Sequence, residues 1–280
     1  MLLSHEGPGG RELRDWILAN EPALRLGCFA TVFVVMASWE LVASRRERSQ
    51  PRGKRWFLNL ALSIFSSLVV RLLFPAAVVG MALVAEQRGW GLFNRVELPG
   101  AVAVVLSIVL LDLAIYVQHA IFHWVPVLWR LHKVHHSDQD FDLTTGIRFH
   151  PIEILLSVAI KFGVVVALGT PPEAVLIFAI VLNATSMFNH GNVRIPRGLD
   201  RWLRWAVVTP DMHRVHHSIV MDECNSNFGF NLPWWDRVFR TYRAQPRAGH
   251  REMTIGVENL QQSDPGSLSR LLIMPFTKAP

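Results

Sequence analysis

Apolar residues in this chain come in long, nearly uninterrupted blocks rather than on single faces. The first block, 22–43, is entered through Asn20-Glu21-Pro22, where proline suits the first turn of a helix. At 1.5 Å per residue it reaches about 33 Å, enough for a hydrocarbon core of about 30 Å. A second block, 56–85, carries one charge, Arg71, and a third, 101–122, carries one acid, Asp112. Two shorter runs, 152–168 and 174–188, are joined by Gly169-Thr170-Pro171-Pro172, a tight turn between antiparallel helices, and Lys161 interrupts the first of them. Their length is marginal, so the pair reads either as two short crossings or as a re-entrant hairpin. In both readings the chain returns to the side it left.

Composition strengthens the membrane reading. Charged residues are 18% and hydrophobic residues 51%, against about 25% charged in a soluble domain, which argues against a disordered or nucleic-acid-binding chain. The net charge of +6 is then a question of topology. The segment 44–56 holds Arg45, Arg46, Arg48, Arg52, Lys54 and Arg55, whereas 86–98 holds only Arg88 and Arg95, which places 44–56 in the cytoplasm. The third span then ends in the cytoplasm near His119–His123, and everything from His190 onward lies there too. The preference for arginine over lysine points to a GC-rich bacterial genome, hence the inner membrane. The expected fold is an all-α, multi-pass membrane helical bundle with a cytoplasmic helical cap. Residues 1–21 form an N-terminal segment, 22–245 the membrane domain and 246–280 a C-terminal tail. The stretch 197–208 puts Arg197, Arg201 and Arg204 on one helical face, with Leu199, Trp202, Leu203 and Trp205 largely elsewhere. It reads as a helix in the headgroup region, or as an ordinary surface helix of the cap.

Histidine carries the chemistry. The chain has 12, most of them in three motifs: His119-x-x-x-His123, His132-x-x-His135-His136 and His213-x-x-His216-His217. The last two sit in near-copies, LHKVHHS and MHRVHHS. Spacings of three and four put side chains on one helical face, so each motif aims imidazoles at a common point. Adjacent His135 and His136 do not share a face, so they serve different metals, or one serves a metal and the other supports it. Two such motifs are far more than chance placement gives. Neutral imidazole suits iron, zinc, copper and nickel. A structural zinc needs four ligands and often uses cysteine, and the two cysteines, Cys28 and Cys224, share no ligand spacing. Eight histidines exceed the needs of one ion and point to two.

The segments DLAIYVQHAIFH, LWRLHKVHHSD, TTGIRFHPIE, NHGNVR, MHRVHHS and NFGFNLPWWDRVFRTY closely resemble the fatty acid hydroxylase/sterol desaturase superfamily, over about residues 55–245 and in the same order. The resemblance implies an integral membrane di-iron oxidoreductase that uses O₂ to hydroxylate or desaturate a lipid C–H bond. It also implies electrons from NAD(P)H through a separate reductase and carrier protein. It matches His119, His123, His132, His135, His136, His213, His216 and His217 to the family's ligand motifs and His190 to a further ligand. His150 matches a recurrent family position, where coordination is weighed against a supporting or substrate-proximal role. His5, in a run that vaguely resembles a haem-binding motif, and His250 fall outside the pattern and are expected to be solvated.

Asp112, Tyr116, His119 and His123 form one stripe on the third span. A carboxylate at that depth needs a partner. The expectation is that Asp112 pairs with Arg71, or that it orients His119 through a chain of hydrogen bonds. Asp138, Asp142, Thr144, Arg148 and Glu153 surround the second motif as candidates for tying imidazole N–H groups. Asn225, Asn227, Trp234, Trp235 and Asp236 match the family's closing segment and read as packing. Competing functions are a metal transporter and a zinc-dependent membrane hydrolase. Transport sites sit near the midplane on broken helices, and a hydrolytic zinc needs about three protein ligands.

Overall fold

The computed structural model describes residues 8–74, 77–260 and 266–277. These are helical throughout, with isolated β-bridges and no strands among the described residues. In chain order the helices are α1 (Pro8–Ala19), α2 (Glu21–Val42), α3 (Arg52–Leu73), α4 (Ala77–Arg88), α5 (Gly100–Trp124), α6 (Pro126–His136), α7 (Pro151–Leu168) and α8 (Pro172–Asn189). Shorter helices follow: α9 (Arg197–Leu203), α10 (Pro210–His216), α11 (Met221–Cys224), α12 (Trp234–Val238), α13 (Gly249–Glu252) and α14 (Leu268–Ile273). Proline occupies the first turn of α2, α6, α7, α8 and α10, where its missing N–H costs nothing.

Five segments are long and apolar enough to cross a membrane: α2, the stretch Arg52–Arg88, α5, α7 and α8. The run at 56–85 is two helices. α3 ends with its C-cap at Phe74, the residue before Pro75, because a residue preceding proline is steered out of the α conformation.

Cross-contacts fix the direction of each helix. Ser66 Oγ donates to the Phe149 carbonyl at 3.1 Å, and the Phe74 and Phe162 rings meet at 5.2 Å, so α3 runs alongside α7 in the same sense. α4 continues that course, and after it Leu92 N and Phe93 N donate to the Ala167 and Leu168 carbonyls at 3.0 and 2.7 Å. The tip of the α7–α8 hairpin therefore reaches the same end of the bundle as the α4–α5 connection. At that end α1 is tied down through Arg14, which pairs with Glu86 and Glu173. At the opposite end Arg45 N donates to the Asn192 carbonyl at 3.0 Å, and Ser49 N donates to Asp140 at 2.9 Å. The basic segment and the histidine motifs thus share one end.

The hairpin tip depends on glycine. Gly169 caps α7 with φ +67°, and a Cβ there would lie 2.6 Å from the Trp90 carbonyl oxygen. Left-handed backbone alone costs a larger residue about 1–2 kcal/mol. Gly169→Ala is therefore expected to lower the thermal unfolding midpoint in detergent, and an unchanged midpoint would show that the tip carries no strain.

The cap is assembled from α6, the 137–150 segment with its 3₁₀ turn Thr145–Ile147, α9–α12 and the C-terminal stretch. Described residues after 246 are packed onto it. Leu271 is buried with Leu58, Leu62 and Val134, and Met253 and Ile255 pack with Phe141. His250, expected to be solvated, is buried: α13 folds back on α10, bringing its Nε2 to 3.7 Å from Asp211. Arg46 clamps the fold-back by donating to the carbonyls of His250 and Met253. His5 lies outside the described residues. The expected three-arginine face at 197–208 also breaks up. α9 stops at Leu203, and Arg204 turns inward to Asp200 (2.7 Å) and the Ala244 carbonyl (2.7 Å), leaving Arg197 and Arg201 exposed.

Candidate metal centre

Nine buried imidazoles converge in two groups. The first holds His119, His123, His132, His136 and His216; the second holds His135, His190, His213 and His217. Within each group one ring nitrogen of every member lies within 4.8 Å of those of the others. The sorting follows helix geometry. Residues four apart stay together: 119 with 123, 132 with 136, 213 with 217. The residue between, His135 or His216, turns to the other group. The two near-copies of HxxHH therefore contribute in opposite senses, two rings to one group and one to the other. The groups adjoin, with the His136 and His217 rings stacked at 4.4 Å.

Most imidazoles are held from behind by an acceptor on Nδ1. His119 donates to the Phe228 carbonyl (2.8 Å), His216 to Ser226 (2.8 Å), His190 to Ser186 (2.8 Å) and His135 to Arg148 (3.2 Å). His132 Nδ1 meets the Glu153 carboxylate at 2.6 Å. His123 and His136 both direct Nδ1 at the Cys224 sulfur, at 3.9 Å. A carbonyl only accepts, so Nδ1 must carry the proton, and in a neutral ring Nε2 is then a bare lone pair.

Those lone pairs face one another. His119 and His132 bring their Nε2 atoms to 3.1 Å, as do His135 and His190; His213, whose Nδ1 has no partner, also brings its Nε2 to 3.1 Å from that of His190. The Nε2 atoms of His123, His136 and His216 are buried without any partner. Burial also opposes protonation. It pushes His190 and His216 down to about 3 and drives His135, His136, His213 and His217 well below the ordinary imidazole value. Converging bare lone pairs in a dry interior repel unless a cation lies between them, so the donor set fits one metal ion per group.

The metal-free protein should consequently be acid-labile. Folded-state values lie below the unfolded value of about 6.5, so the unfolded chain takes up protons that the folded chain refuses. Stability is expected to fall as pH drops from about 6.5 towards 3, and a flat thermal midpoint over that window in chelator-treated protein would contradict it. Among the described residues Glu153 is the one carboxylate bonded to a ring of the two groups, and Glu153→Gln is expected to weaken metal retention about 10–100-fold against a chelator.

The remaining sequence candidates fall elsewhere. Arg71 is exposed on α3 and makes no ion pair among the described residues, because α7 lies against both α3 and α5. Asp112 instead accepts from the Trp235 indole N–H (2.9 Å) and Leu232 N (3.2 Å), holding the closing segment against α5. Tyr116 bonds Thr241 (2.9 Å), Thr241 bonds Asp236 (2.7 Å), and Asp236 receives Phe228 N (2.8 Å). Asp236 also receives Gly229 N (2.9 Å), and so fixes the peptide whose carbonyl holds His119. His150 stands apart: Nδ1 caps α7 through Ile152 N, and Nε2 donates to the Leu272 carbonyl. Asp138 and Asp142 bind Arg55 rather than imidazoles. Glu40 was not singled out by the sequence, yet its carboxylate receives Leu143 N (2.8 Å) and Asn192 N (3.0 Å), stapling the segments that follow His136 and His190.

A helical membrane bundle with two groups of converging histidines at one end defines the class. The fatty acid hydroxylase family signature matches residues 104–241. The chain is 30% identical over 236 residues to the ornithine lipid hydroxylase OlsE of Rhizobium tropici, covering 79% of this chain and 70% of that one. It is 28% identical to an alkylglycerol monooxygenase of Xenopus tropicalis (76% of this chain, 46% of the relative). It is 30% identical to a cholesterol 25-hydroxylase of Rattus norvegicus (52% and 48%). This chain thus spans about half the length of the latter two. No solved structure shows a significant match. The chain belongs to the fatty acid hydroxylase superfamily.

Proposed function

We propose that this protein is an O₂-dependent di-iron lipid hydroxylase of the membrane. His119, His123, His132, His136 and His216 would hold one iron and His135, His190, His213 and His217 the other. Bound there, the pair of irons supplies the O₂ activation needed to oxidise an unactivated lipid C–H bond. The single observation that carries the reading is the facing of proton-free Nε2 atoms within each group. The relatives named above are hydroxylases or a monooxygenase, which favours insertion of oxygen over desaturation.

The chain's own part is to hold and to exclude. Carbonyls of residues 148, 186, 226 and 228 fix ring tautomers. Phe141, Phe149, Phe228 and Phe230 pack against the rings and keep water out. The basic segment 44–56 shares the histidine end, which supports a cytoplasmic centre by the positive-inside rule. Electrons then come from NAD(P)H through a separate reductase and carrier on that side, and a bacterial inner membrane suits the arrangement. Ligands gathered at one end of the spans speak against a transport site, and nine imidazoles exceed what a hydrolytic zinc requires.

Purified protein loaded with iron should bind two ions per chain and consume O₂ when lipid and reductant are supplied. Mass spectrometry of the lipid extract should show a gain of one oxygen atom. Stoichiometric iron without any O₂ uptake across a membrane lipid extract would overturn the assignment.

A further inference from the structure

The closing segment sits deeper than a cap above the membrane would. Trp235 and Leu232 bond to Asp112, and the Phe239 ring stacks on Tyr116 at 5.3 Å. Asp112 lies twelve residues before the end of α5, about 18 Å down that helix. α12 therefore runs beside the middle of a candidate span.

Its outward side is apolar. Trp234, Val238 (65% exposed) and Phe239 (52%) face out on α12, and Leu199, Trp202 (70%) and Trp205 face out on and after α9. The Trp234 indole donates to the Trp205 carbonyl at 2.7 Å, joining the two helices into one platform. Arg237, between them, has its guanidinium 4.4 Å from the Trp205 ring and 4.2 Å from the Tyr242 ring, Arg201 lies 5.9 Å over the Trp202 ring, and Arg197 and Arg240 are exposed as well. Val105, Val117, Ile121 and Trp124 of α5 are also exposed. An apolar, tryptophan-rich face of this extent is not tolerated by water.

We infer that α9 and α12 form an in-plane platform immersed in the acyl chains of the leaflet at the histidine end, deeper than a headgroup-level helix. Its occupant is bilayer lipid. The platform brings acyl chains level with Phe228, whose ring lies 5.7 Å from that of Trp124 and within 5.7 Å of His119, His123 and His216. Lipid thus approaches the first histidine group sideways, from within the bilayer.

The inference rests on the membrane reading of the bundle but on neither metal nor turnover, and the test uses neither. In full-length Cys28→Ser protein reconstituted in phosphatidylcholine/phosphatidylglycerol nanodiscs, nitroxides are placed by Trp202→Cys and Val238→Cys. Val105→Cys on α5 serves as the lipid reference and Arg251→Cys on α13 as the aqueous one. Power saturation with O₂ and with a water-soluble nickel chelate is then compared. Labels at 202 and 238 are expected to match 105, with nickel accessibility several-fold below that at 251. Either label matching 251 overturns the platform. A label at 105 matching 251 would instead overturn the membrane reading itself. All four side chains are exposed, so the variants leave the core intact.

Discussion

His190→Ala is expected to strip one of the two metal ions and to abolish lipid oxidation. His190 Nε2 stands 3.1 Å from both His135 and His213, so it is the hub of the four-membered group. Three rings remain after its loss, and a void opens where the fourth donor stood. Altering a group merely behind a ligand costs about 10–100-fold, so loss of the donor itself should exceed about 100-fold in turnover. Iron per chain should fall from two to one, because the five-membered group keeps all its donors. His250→Ala is the control: that ring is buried but touches neither group, and both ions should stay. Retention of two ions by His190→Ala would refute the division into two sites.

Arg55→Met should be the most destabilising single change outside the histidines. Arg55 is 2% exposed and binds Asp138 through two N–H groups (2.7 and 2.8 Å) and Asp142 through a third (2.7 Å). Burial alone would raise the Asp138 carboxyl, but the Arg55 guanidinium outweighs it and holds the group well below the carboxylate range. Removing one partner of a buried pair costs about 3–5 kcal/mol, because the other charges stay buried and uncompensated. Thermal unfolding of the metal-free protein should report the loss, and Arg55→Met with Asp138→Asn should recover part of it. A midpoint unchanged by Arg55→Met would show that the network is solvated. The effect reaches the histidine groups, since Arg148, whose carbonyl holds His135, is itself braced by Asn59 (2.7 Å) and Ser137 (2.8 Å) in that network.

Long apolar runs made the spans legible, because a helix that must satisfy its own backbone in lipid leaves a block of hydrophobic sequence. The break near Pro75 was a readable signal, but the run around it was long enough to pass for one helix. Imidazole spacing announced that the histidines converge, and the four-residue interval explains which ring joins which group. What holds those rings was hidden: backbone carbonyls of residues 148, 186, 226 and 228 have no side-chain signature. Cys224 was equally silent, since sulfur facing two imidazoles comes from tertiary folding rather than from spacing. Pairing Arg71 with Asp112 assumed that equal depth on successive spans means contact. α7 packs against both α3 and α5, and the hydrogen bonds of Asp112 go to a segment 120 residues away. Arg55 read as one more positive charge of a cytoplasmic loop, whereas its burial could be learned only from the segment that folds over it.

The latch between residues 92–93 and 167–168 ties the hairpin tip to the α4–α5 connection. α7 then joins that latch to the histidine groups as one stiff rod of 18 residues, about 27 Å long. The bundle therefore carries its own ruler. In a thicker or thinner membrane it must tilt or deform the surrounding lipid rather than stretch. On the proposed function, the depth at which a lipid carbon would meet the histidine groups is set by protein geometry and not by where a flexible chain happens to end.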